Sequence, residues 1–431
     1  MNDISTLYIE HIKNLKSKTE NILQEKNLDG LIVASGFLDY YLFDDHPVYF
    51  KSNPYFNHWV PLGNNPNCFL IFTPGKVPEI LYYHPDDFWH KVAPLPDDFW
   101  VFEFDLKPIK NLSEGIDYLK NLKGNFSYIG PERNELPFKT NEHDVLNFFN
   151  YHRGIKSNYE LACLKKANHL AAKAHKQAYL TYLDKTSEFE IHQQYLKTLN
   201  IRECELPYNN IIALNQNGAI LHYSDYEKTA PEVHHSFLID AGASFNGYHS
   251  DITRTYTEIE EFQVLIDLMN KAQMDLVEGC QIGSAFGDLH ALANEKIGEI
   301  LSEVGIVKGG PKTEIARYFF PHGLGHPLGL QVHDVGAKIN DEKGAEQSPP
   351  IEFPNLRCTK TLEEGNVVTI EPGLYFIDLL LHDLKKDPLG KEINWDKVEG
   401  LKKFGGIRIE DDVWVGENGP KNLTRIAFER T

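Results

Sequence analysis

The stretch FLIDAGASFNGYHSDITRTY, residues 237–256, runs from Phe237, Leu238 and Ile239 straight into Asp240 and carries Asp251 on its second limb. Alternation along a strand sends Leu238 and Asp240 to one face, Phe237 and Ile239 to the other. AGASFNG supplies turn residues, and the returning strand sends Asp251, Thr253 and Thr255 to a common face. A hairpin of this kind holds Asp240 and Asp251 side by side. Two ionised carboxylates in contact repel, so a cation lies between them or one binds a proton. An isolated pair of this sort is more often two solvated turn acids, but other segments repeat the pattern. FFPHGLGHPLGLQVHDVG clusters His322, His326 and His333 among Gly323, Gly325 and Gly329, where backbone can approach closely. NVVTIEPGLYF ends an apolar strand on Glu371, which Pro372 holds extended. FGGIRIEDDVWV puts Ile407 and Ile409 on one face, Arg408 and Glu410 on the other; alone it reads as an ion pair. Together these are four carboxylates and one imidazole on apolar strands, a set that cannot be buried without cations. Oxygen-rich ligation with one nitrogen suits Mn²⁺ or a similar first-row ion, and two ions match four carboxylates. Such ions activate water and polarise a carbonyl, the chemistry of metal-assisted hydrolysis.

These residues need a frame. Residues 5–27 predict a helix, followed by strand-like runs LIVAS, CFLIFTP, EILYYHP, FWVFEF and FSYIGP, interrupted by a helical stretch near 110–122. That pattern predicts a mixed-sheet α/β domain. SNYELACLKKANHLAAKAHKQAYLTYL then predicts a long helix, and Ser187 with Glu190 marks the capping box of another. Strands dominate from about 208 to 256, helices fill about 258–304, and from 317 onward a return to Gly- and Pro-rich strands is expected. The spacing is that of hairpins rather than βαβ units, so the second domain is expected to be antiparallel α+β. The division is placed at residues 1–155 and 156–431.

The totals set bounds. The chain has 431 residues, 42% hydrophobic and 24% charged, which predicts a soluble globular protein with ample core. A net charge of -19 excludes polyanionic partners, since nucleic acid and anionic membrane require basic patches. Five cysteines, an odd number with no C-x-x-C pair, point to a reduced chain with neither a disulfide framework nor a cysteine zinc site. The polar N-terminus has no apolar signal-peptide core, and no apolar run is long enough to span a membrane. A cytoplasmic protein is expected.

The order Asp, Asp, His, Glu, Glu in IDAG, SDITRTY, HGLGH, TIEPG and GGIRIED resembles the pita-bread metallopeptidases: methionine aminopeptidases, aminopeptidase P, prolidases and creatinase. HIKNLKSKTENILQEKNLDG, KSNPYFNHWVPL, HPDDFWHKV, PYNNIIALNQNGAILHY and INWDKVEGLKKFGGIRIED are similar to the bacterial Xaa-Pro dipeptidase (prolidase) subgroup, which includes organophosphorus acid anhydrolases. The resemblance covers essentially the whole chain. It implies a smaller creatinase-like α/β domain before a pita-bread domain, a curved antiparallel sheet with flanking helices. It implies two metal ions, most simply Mn²⁺, on Asp240, Asp251, His326, Glu371 and Glu410, with Asp251 and Glu410 bridging and Glu371 also moving protons. His222, His322 and His333 match the family's non-ligand histidines, which bind substrate and stabilise charge. Arg408 would take the free carboxylate of a dipeptide, a task suited to its planar fork. Tyr208 would line the pocket, and Asp45, in LFDDHPVYF, would cap a neighbour's cleft in a homodimer. The implied reaction is hydrolysis of Xaa-Pro dipeptides to free proline, with a side activity on organophosphorus substrates. The alternatives are an aminopeptidase P-like enzyme and an inactive pita-bread module that binds peptides; retention of every ligand position argues against the last.

Overall fold

The computed structural model describes residues 3–354 and 356–431, and the chain divides into two units. The first comprises the residues up to Asn150 together with Ser157–Ala162 and Asp341–Gly344. Its elements are α1 (Ile4–Lys26), β1 (Gly30–Ala34), α2 (Pro54–Trp59), β2 (Phe69–Phe72), β3 (Glu79–Tyr83), β4 (Asp105–Ile109), α3 (Leu112–Lys120), β5 (Phe126–Ile129), β6 (Lys139–Thr140) and the start of α4 (His143–Arg153). The strands form one sheet in the order β4-β3-β2-β1-β5-β6. The β1–β5, β3–β4 and β5–β6 pairs are parallel and the other two antiparallel, the mixed sheet expected. α1 buries Tyr8, Ile12, Leu15, Ile22 and Leu23, and ends where Asn27 takes a left-handed conformation and its N–H closes onto the last turn.

One expected strand is absent. FWVFEF forms a short 3₁₀ turn, Val101–Glu103, because Trp100 and Phe104 are buried while Phe102 is 85% exposed. In a strand Phe102 would share the face of Trp100 and Phe104, so its exposure breaks the alternation.

The second unit takes in Tyr151–Lys156 at the end of α4, then α5 (Asn158–Leu183), whose first turn belongs to the first unit, and α6 (Glu188–Leu199), where Ser187 and Glu190 form both bonds of the capping box. Then come β7 (Ile211–Leu214), β8 (Phe237–Asp240), β9 (Ser244–Phe245), β10 (Tyr248–His249), β11 (Thr253–Tyr256), α7 (Glu260–Glu278), α8 (Phe286–Glu303) and α9 (Lys312–Ala316). The chain closes with β12 (Val367–Ile370), β13 (Gly373–Tyr375), α10 (Asp378–Lys386), α11 (Trp395–Leu401), β14 (Gly406–Arg408), β15 (Asp411–Gly416), β16 (Gly419–Asn422) and α12 (Leu423–Phe428). Every strand pair here is antiparallel: β11-β8-β7, β12-β15-β16, β13-β14 and β10-β9. Bridges Thr253–Glu410 and Pro327–Val368 stitch the pieces together.

The expected strands after 317 do not appear until β12; among the described residues, 317–366 carries isolated bridges only, and α10 and α11 interrupt the strands that follow. Gly and Pro in that stretch supply close approaches rather than ladders. α7 backs the antiparallel sheets, and α8 packs on α7 and α9. α7 turns Phe262, Leu265, Ile266, Met269, Leu276 and Val277 inward at helical spacing, into a core shared with Ile370, Ile407, Val413 and Val415. Each such side chain contributes roughly 1.5–3 kcal/mol by burial, which keeps the strand ends rigid enough to hold ionisable groups in place.

Candidate metal centre

The first two carboxylates are placed by the β8–β11 ladder, in which Asp240 faces Thr253 and the Ala241 N–H bonds Ile252 O at 3.0 Å. Asp251 precedes β11. Tyr208 Oη lies 2.8 Å from Asp240 Oδ1 and 2.5 Å from Asp251 Oδ1, so the two acids are neighbours, as alternation predicts. His175 Nε2 donates to Ala241 O at 2.8 Å and anchors the segment beyond Asp240.

His326 and Glu371 meet because HGLGH lies flat along β12. The Thr369 N–H donates to His326 O at 2.9 Å, and the Glu371 N–H donates to Leu324 O at 2.8 Å. Gly325 permits this approach: a Cβ there would fall 2.0 Å from Thr369 O. His326 Nδ1 donates to Pro327 O at 3.0 Å, which leaves the Nε2 lone pair pointing inward. That nitrogen is 3.4 Å from Asp251 Oδ2 and 3.6 Å from Glu371 Oε1. Glu410 is delivered by its bridge to Thr253, whose hydroxyl donates to Glu410 Oε2 at 2.7 Å. Donor atoms of Asp251, His326 and Glu410 all lie within 4.8 Å of one another.

The electrostatics are those of a site short of positive charge. Burial raises Glu410 well above the usual carboxylate range, helped by Asp251 and Glu371. Burial also pushes Glu371 up to about 7, against the pull of His326, and raises Asp240 although Arg408 opposes it. Asp251 is the exception, since a proton on His326 Nε2, in place of a cation, and the Tyr208 hydroxyl overcome burial and lower it. Four carboxylates thus share one guanidinium and one imidazole, and protons or cations must supply the balance. The residues fit divalent cations: an imidazole lone pair and carboxylate oxygens converge, with the imidazole's other nitrogen tied to backbone.

Arg408 is 4% exposed. Its Nη2 contacts Asp240 Oδ2 at 2.8 Å, Nη1 donates to Tyr375 Oη at 2.9 Å, and Nε donates to Thr253 Oγ1 at 3.3 Å. These bonds take one hydrogen from each nitrogen, and a second N–H remains on Nη1 and on Nη2. Tyr375 Oη in turn faces His322 Nε2 at 2.8 Å, while His322 Nδ1 donates to Gly323 O at 2.9 Å. His322 is therefore a neutral imidazole that accepts from the phenol. Burial, then Arg408, pushes its pKa down to about 3.

His333 reaches the group from the rim: its ring centroid is 4.3 Å from that of His326, its Nε2 is 2.5 Å from Arg357 Nη1, and burial, then His326, pushes its pKa down to about 4. His222 is exposed. Asp45 belongs to the first unit, exposed in the turn bridged by Tyr40 and Pro47, and is not joined to this group by the bonds described.

Several residues that reading the sequence missed hold these groups. Asp412, fully buried, accepts from the Asp251 N–H at 3.2 Å and from Asn168 Nδ2 at 2.7 Å. Asp334, next to His333, pairs with Arg153 at 2.6 Å and Lys156 at 2.8 Å, each with 1% of its side chain exposed. The only signals were the second acid in IEDD and the acid in VHD.

The chain as a whole matches a known family. Residues 162–417 match metallopeptidase family M24, and residues 6–151 match the Xaa-Pro dipeptidase N-terminal domain. The chain belongs to metallopeptidase family M24. Within that family it falls with the Xaa-Pro dipeptidases. It is 45% identical over 435 residues to the Xaa-Pro dipeptidase of Pseudoalteromonas translucida (strain TAC 125), covering 99% of each chain. It is 43% identical over 434 residues to that of Shewanella woodyi (strain ATCC 51908 / MS32), again with 99% coverage of both. Among solved structures, aminopeptidase PepP of Pseudomonas aeruginosa aligns with a TM-score of 0.73 at 20% identity, covering 98% of this chain and 95% of that one. E. coli aminopeptidase P with the inhibitor Pro-Leu aligns at 0.72 and 22% identity, with coverage of 98% and 95%. These structures share the pita-bread fold. Among the described residues of this M24 protein, no helix is long and apolar enough to cross a membrane.

Proposed function

We propose that the protein hydrolyses Xaa-Pro dipeptides and releases free proline, with two divalent cations, Mn²⁺ by choice of donor set, held by Asp240, Asp251, His326, Glu371 and Glu410. The observation that carries this reading is the inward Nε2 lone pair of His326 among buried carboxylates, on a chain 45% identical to named Xaa-Pro dipeptidases. Ions of this kind, when bound, polarise a carbonyl and lower the pKa of water.

The remaining work falls to side chains. The prolyl imide nitrogen has no hydrogen and cannot be held as a strand partner, so the substrate must be oriented by its ends. The free N–H groups of Arg408 take the terminal carboxylate, while its Asp240 bond keeps the guanidinium aimed. Tyr208 lines the floor. Glu371 helps move protons to and from the attacking water. His322, neutral and backed by Tyr375, and His333 and His222 at the rim, contact substrate and developing negative charge. In this reading residues 1–155 cap and 156–431 catalyse, Asp45 completes the cleft of a second copy in a homodimer, and the protein works in the cytoplasm. Organophosphorus esters enter as a side activity, a phosphoryl oxygen replacing the carbonyl.

A second reading, an aminopeptidase P-like enzyme, is favoured by the fold likeness to aminopeptidases P. Turnover of Xaa-Pro dipeptides against Xaa-Pro-Yaa tripeptides, with Mn²⁺ present, decides between them. Preference for tripeptides overturns the dipeptidase proposal.

A further inference from the structure

The first unit buries a second group of metal-capable donors. His11 projects from α1, His58 from α2 and Glu160 from the first turn of α5, and all three lie in that unit. They are 4%, 7% and 3% exposed. One donor atom from each lies within 4.8 Å of the others. His11 Nδ1 is 3.9 Å from Glu160 Oε2, and His58 Nε2 is 3.6 Å from Glu160 Oε1. These separations exceed hydrogen bonds. They run to different oxygens of the carboxylate, and both are somewhat longer than the ~3.4 Å that separates tetrahedral ligands each ~2.0–2.1 Å from one zinc ion.

We propose that His11, His58 and Glu160 form a structural divalent-metal site, best matched to Zn²⁺, that ties α1, α2 and the start of α5 together. The orientation of His11 supports this. Its Nε2 donates to His58 O at 2.8 Å, so Nδ1 carries the lone pair and faces Glu160. A backbone acceptor on the far nitrogen of a ligand histidine is the arrangement that fixes tautomer and ring direction in metal sites. Glu160 is fixed in the same way, since its Oε2 accepts the Ser157 N–H at 2.8 Å and its own N–H donates to Ser157 Oγ at 3.3 Å. Ser157 Oγ lies 2.9 Å from His11 Nδ1, and its hydroxyl can rotate away without losing the bond it accepts from Glu160. Two imidazoles and one carboxylate are a donor set of zinc, with a fourth position for water or the Ser157 hydroxyl. Aromatic rings close the surroundings, with Tyr159 centred 5.3 Å from His11 and Tyr8 5.1 Å from Tyr159. The competing arrangement neutralises Glu160 with protons on the histidines and with the ammonium of Lys18, whose pKa is sensitive to Glu160.

The site is independent of the hydrolytic reading, and its test does not use activity. Full-length protein and His58→Gln are stripped with chelator, saturated with Zn²⁺ alone, freed of excess by gel filtration and analysed for metal. The second-unit ligands are untouched in both. The substitution should lower zinc by about one ion per chain, and Glu160→Gln should do the same. Equal zinc in all three proteins overturns the proposal in favour of protonated histidines. Should either variant fail to fold, anomalous diffraction at the zinc edge from crystals of the unaltered protein decides. A peak among the three donors supports the site, and its absence while the second-unit cluster is filled refutes it.

Discussion

Replacing Arg408 by alanine separates two tasks that the structure joins in one side chain. Its guanidinium pairs with Asp240 at 2.8 Å in a buried setting, so Asp240 loses the charge that restrains its already raised pKa. Removing one partner of a buried pair costs ~3–5 kcal/mol, felt as lower stability and weaker metal binding that worsens as pH falls. That loss applies to every substrate. A bound proline carboxylate adds a second loss, a charge-assisted contact worth ~1.5–3 kcal/mol, or roughly 10- to 150-fold in kcat/KM. The assay is kcat/KM for a Leu-Pro dipeptide and for its amide in both proteins, at saturating Mn²⁺ and with bound metal measured. The dipeptide-to-amide ratio should collapse by that factor in Arg408→Ala. If both substrates lose equally, in step with metal content, then Arg408 serves only to orient Asp240 and the carboxylate assignment is wrong.

Chelator-stripped protein should lose hydrolytic activity and recover it best with Mn²⁺, and Asp251→Asn or Glu410→Gln should lower metal content; full activity in verified metal-free protein refutes the two-ion reading. Asp334, where Lys156 and Arg153 outweigh burial and depress the pKa, contributes stability above its unfolded pKa of ~3.9 that fades as pH drops through the folded value. Asp334→Asn should therefore cost ~3–5 kcal/mol in urea melts at pH 7, and the penalty should shrink steadily as pH falls below ~3.9; a pH-independent penalty contradicts the ion-pair account. Light scattering should give a dimer, and a monomer with full activity would reject a cleft completed by Asp45 of a second copy.

The sequence by itself determined the strands that carry the candidate site residues and the order of those residues along them. Apolar runs ending in Asp240 and Glu371, the capping box at Ser187 and the periodicity of α1 and α5 are local patterns, and local backbone bonding and burial realise them directly. The Asn394 cap of α11, which accepts from Lys397 N–H, lay in a stretch expected to be strands, and shows that a turn-rich stretch can hide a helix. FWVFEF misled because β-favouring composition does not fix which residues face inward; the burial of Trp100 and Phe104 decided that. What only the tertiary structure decided is contact at long range. Asp412 grips the Asp251 backbone across 161 residues, Tyr375 joins Arg408 to His322, and His11 meets Glu160 across a comparable span. No local period encodes such distances. They are set by how packed helices and sheets bring strand ends together, and burial there turns ordinary acids and histidines into clusters short of positive charge.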